Sequence, residues 1–219
     1  MPDDRKLRIF REPEQVPYAE MLERQRAVRT AVEQGRAPHT LFLLEHPPTI
    51  TLGRKSSEAH ILRSREDLAA QGVTVETSDR GGDVTFHGPG QLVAYPILNL
   101  ELLTPSVGWY LRRLEDVVIA LLADYGLAGE RKEGLTGVWV GDAKAAAIGI
   151  GVHRWVTFHG CAINVNPDMN HFGLIIPCGI PDKPVTSLRE LLGTPPQFEE
   201  VRERFVRNFL AVFELEPEH

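Results

Sequence analysis

Seven short apolar runs limit the fold more than any other feature: residues 40–45, 49–52, 73–77, 91–99, 137–140, 144–152 and 160–165 each read as a strand. Runs of this length, bounded by turn-forming residues, suit a half-buried pleated surface. Helical stripes are fewer. Residues 14–34 place Tyr18, Met21, Leu22, Gln25, Val28 and Val32 on one face, with Gly35 as the stop. Ser64 and Asp67 form a capping box for a short helix that ends at Gly72. Ser106 caps a longer helix through Leu111, Leu114, Val118 and Leu122 to Gly126, and a last helix spans 198–213. Strands do not alternate one for one with helices, so the pattern predicts the α+β class rather than a doubly wound sheet. The expected architecture is a single domain over residues 1–219, a mixed or antiparallel sheet flanked by helices. The stretch after Pro195-Pro196 is too short for a core of its own.

Charge and cysteine usage exclude several function classes. A net charge of −6 argues against nucleic acid as the main partner, because phosphate backbones reward clustered Lys and Arg. An acidic protein can still dock on a local patch such as Arg54, Lys55, Arg63 and Arg65, or Arg131 and Lys132; the plain alternative is a solvated surface. No run approaches the roughly 18 apolar residues of a membrane span. The run Leu7 to Phe10 is too short for a signal peptide, so the expected location is the cytoplasm. Two cysteines, Cys161 and Cys178, fit a reducing compartment better than a disulfide framework.

Three segments carry chemistry. In Arg80-Gly-Gly-Asp-Val-Thr-Phe-His-Gly-Pro-Gly-Gln91, five of twelve residues are Gly or Pro, so the chain there turns sharply or approaches something closely. The segment is expected to be a loop at one sheet end, either a functional loop or a wide hairpin with a satisfied histidine. It matches neither phosphate-binding glycine fingerprint. In Gly137 to Gly151 a hairpin turns at Gly141-Asp142, which puts Lys144 at a strand start. Lys144 is then an exposed strand end, or an ammonium aimed into an apolar cleft where it holds an anion. Ala145, Ala147, Gly149 and Gly151 leave room for something slender, such as an alkyl chain. In Ile175-Ile-Pro-Cys178-Gly-Ile-Pro181 the cysteine is on a turn. It is a nucleophile if a cation or base activates it, or else a small buried hydrophobe. His153, His159, Cys161, His171 and Cys178 lie close in sequence, but their spacing fits no zinc pattern.

Together these segments resemble the lipoyl(octanoyl) transferase family, also called lipoate-protein ligase B. The resemblance rests on five motifs in order: Glu45-His-Pro-Pro-Thr-Ile-Thr-Leu-Gly-Arg54, the run Arg80 to Gln91, Lys144-Ala-Ala-Ala-Ile-Gly149, His159-Gly-Cys-Ala-Ile-Asn-Val-Asn166 and Pro177-Cys-Gly-Ile180. It implies a fold like the catalytic domain of biotin and lipoate protein ligases. It also implies transfer of octanoyl from acyl carrier protein to a lysine of lipoyl domains, in 2-oxoacid dehydrogenase E2 subunits or the glycine cleavage H protein. That transfer is the first step of endogenous protein lipoylation. By the same resemblance Cys178 carries the acyl thioester and Lys144 lowers its pKa. Substrate contacts carry over to Arg80, Gly81, Gly82, Asp83, Val84, Thr85, Phe86 and His87, to Ala147, Ile148 and Gly149, and to Gly160, Cys161 and Ala162. Cys161 is read as a plain pocket residue. The expected enzyme is a monomer that needs neither ATP nor a metal, because one thioester is exchanged for another. Two rivals stay open: an ATP-dependent lipoate or biotin ligase, and a non-catalytic lipoyl-domain binding protein.

Overall fold

The expected apolar runs become strands of two sheets in a computed structural model that describes residues 5–176 and 183–218. Its strands are β1 (Lys6–Arg11), β2 (His39–Leu44), β3 (Thr49–Leu52), β4 (Thr74–Thr77), β5 (Val84–His87), β6 (Gln91–Ile97), β7 (Glu130–Lys132), β8 (Leu135–Val140), β9 (Ala143–His153), β10 (Val156–Asn164) and β11 (Glu216–Pro217). Its α-helices are α1 (Tyr18–Glu33), α2 (Arg65–Ala70), α3 (Val107–Ala123), α4 (Leu188–Leu192) and α5 (Phe198–Phe213). The larger sheet runs β11-β1-β2-β6-β10-β9-β8-β7, and the smaller runs β4-β3-β5. β1 pairs parallel with β2 and β11, whereas β2, β6, β10, β9 and β8 pair antiparallel in series. The class is therefore α+β with mixed sheets, as the strand spacing implies.

Burial explains why the central strands are apolar along their whole length. β2, β6 and β10 are buried at every residue. Helix α1 covers one face through Met21 and Val32, against Phe42, Val93, Tyr95, Phe158 and Ala162. Helices α3 and α5 cover the other through Leu114, Val118, Leu121, Phe205 and Phe209. Each such side chain contributes about 1.5–3 kcal/mol by leaving water. The small sheet closes its own core with Ile50, Val84 and Phe86 against Leu68 and Leu174.

Caps fall where the sequence puts them. Ser64 Oγ accepts the Asp67 amide at 3.1 Å, and Ser106 Oγ accepts that of Trp109 at 3.2 Å. Ser106→Ala should lower stability by about 1 kcal/mol, because an amide at the start of α3 loses its acceptor; the urea midpoint measures it.

Two sequence expectations need correction. Segment 80–91 is not a loop between two strands of one sheet, since β5 lies inside it and pairs with β3 from Leu52↔Val84 to Thr49↔His87. The chain leaves β5 through Gly88-Pro89-Gly90 and enters the larger sheet as β6, so the segment joins two sheets. Gly90 takes φ +85° and a Cβ there would sit 2.3 Å from the Asn166 carbonyl oxygen, so only glycine fits this crossing. The second correction concerns the small residues of β9. Ala147 and Gly149 border a cavity, with the Gly81 carbonyl oxygen 3.0 Å from where a Gly149 Cβ would stand, but the Phe158 ring covers Gly151 and Ala145 packs in the core beneath α3.

Candidate active site

A cavity of about 380 Å³ opens on the α1 face of the larger sheet, between β9, β10, the start of α1 and β5. Sheet alternation decides which side chains enter it. Across the ladder Ala147 pairs with Ala162, Gly149 with Gly160, and Val93 with Ala162. These small residues form the floor. Ile148 and Cys161 pair with each other and fall on the reverse face, with Ala94 in the α3–α5 core. They border the cavity with main chain. Burial there pushes the Cys161 thiol up to about 12, so it stays protonated. Gly160 has a separate reason to be glycine: a Cβ would lie 2.1 Å from the Ala94 carbonyl oxygen.

The same alternation sorts β5. Thr85 and His87 face the cavity, whereas Val84 and Phe86 enter the small-sheet core, where Phe86 stacks on His171 at 4.7 Å. Arg80 is buried, and its guanidinium donates to the Thr51 carbonyl at 2.8 Å and the Thr51 hydroxyl at 2.9 Å. It clamps the glycine segment to β3. The Gly81 amide donates to Ile150 O at 2.8 Å, tying the same segment to β9. Gly81, Gly82 and Asp83 form part of the rim with Lys55, and the Asp83 carboxylate lies 2.6 Å from His60 Nδ1.

Lys144 is not the exposed strand end that its position suggested. Only 7% of its surface is accessible, and Nζ lies 4.9 Å from the Trp139 ring centroid, within range of a cation–π contact. Its amide donates to Pro184 O at 2.8 Å and its carbonyl accepts from the Thr186 amide at 2.9 Å. Residues 184–186 thus run alongside the start of β9 and hold Lys144 at the cavity wall. Cys178 lies outside the described residues. On its N-terminal side the chain is fixed by the Ile176 amide, which donates to His60 O at 2.8 Å.

Polar residues that no motif flagged as a group complete the site. His46 Nδ1 donates to Val16 O at 2.5 Å, and its Nε2 meets the Tyr95 hydroxyl at 2.8 Å. Desolvation pushes His46 down to about 4, so the ring is neutral and Nε2 accepts from Tyr95. His159 adopts φ +56° in the middle of β10 and its amide donates to Gln25 Oε1 at 2.7 Å. Its ring meets Asp79 at 2.7 Å, and that hydrogen bond holds the Asp79 carboxyl down at about 2. The signal available in the sequence was Gln25, a polar residue on an otherwise apolar helical stripe. Tyr18, Asp79 and Tyr95 carried no local signal. The residues once weighed as metal ligands are dispersed: His153 pairs with Glu33 at the surface, His171 stacks on Phe86, and Cys161 is on the reverse face.

Comparison with known proteins decides the family. Residues 17–210 match the lipoyl protein ligase A/B catalytic domain. The chain belongs to that family. An octanoyltransferase of Chloroflexus aurantiacus is 52% identical over 206 residues, covering 93% of this chain and 92% of that protein. Among solved structures, a lipoate-protein ligase A bound with ATP superposes with a TM-score of 0.81 at 14% identity, covering 98% of this chain and 88% of that one. A putative lipoate protein ligase from T. acidophilum with bound lipoic acid gives 0.79 at 14% identity, covering 99% and 88%. The lipoyl ligase A/B family therefore accounts for the fold. Within it, this chain is an acyltransferase by its similarity to the octanoyltransferases. No α-helix among the described residues is long and apolar enough to cross a membrane.

Proposed function

We propose that this enzyme takes octanoyl from acyl carrier protein onto Cys178 as a thioester and passes it to a lysine of a lipoyl domain. The acceptors are the E2 subunits of 2-oxoacid dehydrogenases and the glycine cleavage H protein. One observation carries the reading: Lys144 is buried at the wall of a cavity whose floor is Ala147, Gly149 and Ala162. Such a floor suits an unbranched alkyl chain, and a cation held there favours a thiolate over a thiol. Residues 184–186 bond to Lys144 and the Ile176 amide bonds to His60 O, so the described chain on either side of the segment containing Cys178 is fixed. Lys55 at the rim offers a positive charge to an acidic carrier protein. Exchange of one thioester for another is close to balanced, and formation of the amide drives the second step, so neither ATP nor a metal enters. The location assigned to this reaction is the cytoplasm, and the working unit is a monomer.

The fold shared with an ATP-bound ligase keeps one rival in play, an enzyme that activates its acid as an adenylate. Intact mass separates the two. Incubation with octanoyl carrier protein should add one octanoyl group to the wild type and none to Cys178→Ala, and Cys178→Ala should lose transfer. Retained transfer in that variant would point to the adenylating ligase. No mass gain on the wild type would favour a non-catalytic binding protein.

A further inference from the structure

His87 is the buried histidine whose ring leaves a lone pair to the cavity, and a chain of amides behind it determines which nitrogen that is. The chain starts from a group that can only accept, the Thr186 carbonyl. Asn164 Nδ2 donates to it at 3.0 Å, so Asn164 Oδ1 faces the other way and accepts from Gln91 Nε2 at 2.9 Å. Gln91 Nε2 also donates to Phe86 O at 3.3 Å, which leaves Gln91 Oε1 as the acceptor for His87 Nδ1 at 2.7 Å. The proton therefore resides on Nδ1, and in a neutral ring Nε2 holds a bare lone pair. The ring is held in place by Tyr18, stacked at 6.1 Å, and by His46, edge-on at 5.6 Å. His46 and His159, the other buried histidines on this side of the sheet, offer no such atom. His46 uses both nitrogens, and His159 donates Nε2–H to Asp79 while its Nδ1 is sealed from the cavity.

We propose that His87 Nε2 accepts the proton released when the acceptor amine attacks the acyl group, and that Gln91 is the positioning residue that fixes this tautomer. The inference rests on the octanoyl-transfer reading and divides the labour within it. In that reading Lys144 favours the thiolate in the first half-reaction, and His87 takes the amine's proton in the second. In the step, the neutral amine nitrogen bonds to the thioester carbonyl carbon, and the carbon–sulfur bond breaks with its electron pair going to sulfur. The nitrogen's surplus proton passes to His87 Nε2. The imidazolium then returns that proton to the thiolate, so amide and free thiol remain. Burial, together with His46, Arg80 and His159 around the ring, holds His87 well below its ordinary pKa, so the lone pair is available at neutral pH. The amide chain ends on Thr186, whose own amide bonds Lys144 O, so one network sets both the base and the lysine strand.

The test separates the two half-reactions. Acyl-enzyme is formed with octanoyl carrier protein and followed by intact mass, then mixed with a lipoyl domain in a single turnover across pH. His87→Gln should slow transfer to the domain about 10²-fold or more while slowing acyl-enzyme formation far less. Gln91→Glu puts a carboxylate on Nδ1 and should move the acid limb of the transfer profile to higher pH by about one unit, which a merely structural role would not do. A Gln91→Glu profile that superimposes on the wild type, or His87→Gln slowing both half-reactions equally, would overturn the inference. A wild type that never gains the octanoyl mass would remove the underlying reading, and this inference with it.

Discussion

Lys144→Met is expected to slow acyl-enzyme formation by about three orders of magnitude at pH 7 while leaving the fold intact. A thiol with a pKa near 8.5 is only a few per cent ionised at neutral pH, and removing the adjacent cation from an apolar wall raises that pKa further. A loss of about 10³ corresponds to about 4 kcal/mol, within the range of losing an opposite charge at a partly desolvated site. Stability should change little, because methionine fills the volume over Trp139 and the backbone bonds of Lys144 to Pro184 and Thr186 do not depend on the side chain. Raising the pH to about 9.5 should recover much of the rate, since solvent then supplies the thiolate. Rapid-mix mass spectrometry of the acyl-enzyme measures this. A variant within tenfold of wild type at pH 7, or one with no rescue at high pH, would sink the assigned role.

Acid should unfold this protein early. His46, His87 and His159 are all held neutral by burial, so each has a folded pKa below that of a free imidazole. The unfolded chain therefore binds more protons than the folded one once pH drops below 6.5, the ordinary value. Their contribution is complete above that pH and is lost as pH falls toward the folded values, about 4 for His46. His46 alone accounts for a loss on the order of 3 kcal/mol over that window, a large share of the roughly 5–15 kcal/mol a domain has. Asp79 adds to the slope only below the normal carboxylate range, because its pKa is held down to about 2. Urea midpoints from pH 7.5 to 4 should fall steeply, and His46→Gln should flatten the curve. A midpoint that holds steady down to pH 4.5 would contradict the neutral-histidine assignment.

How far the fold was legible depended on what each element buries. β2, β6 and β10 are apolar throughout because helices cover both faces, so their runs stood out. β7 is charged at every residue, and β1 interleaves Lys6, Arg8 and Arg11 with a short apolar run, Leu7 to Phe10, so neither read as a strand. β5 was hidden because glycines flank four strand residues, and local composition cannot tell a loop from a strand that crosses between sheets. The motif residues Arg80, Thr85, His87, Lys144, Ala147 and Ala162 line one cavity, but the motifs did not give the direction of each side chain. Phe86 and Cys161 are neighbours of cavity residues in sequence and face away from it, since successive side chains of a strand point to opposite faces of the sheet. The backbone of Lys144 is held by residues 184–186, forty positions downstream, which no window around Lys144 contains. The Gln91–Asn164–Thr186 chain was equally invisible, because it depends on three separate segments meeting.

The cavity floor has a consequence for how such an enzyme can change. Ala147, Gly149 and Ala162 present at most a methyl group, and the Gly81 backbone faces Gly149, its carbonyl oxygen 3.0 Å from where a Cβ would stand. Side chains at these positions are already close to their minimum, so exchange there can only fill the cavity. Drift at the floor is a one-way valve: it can exclude longer or branched chains, but any broadening must come from the opposite wall.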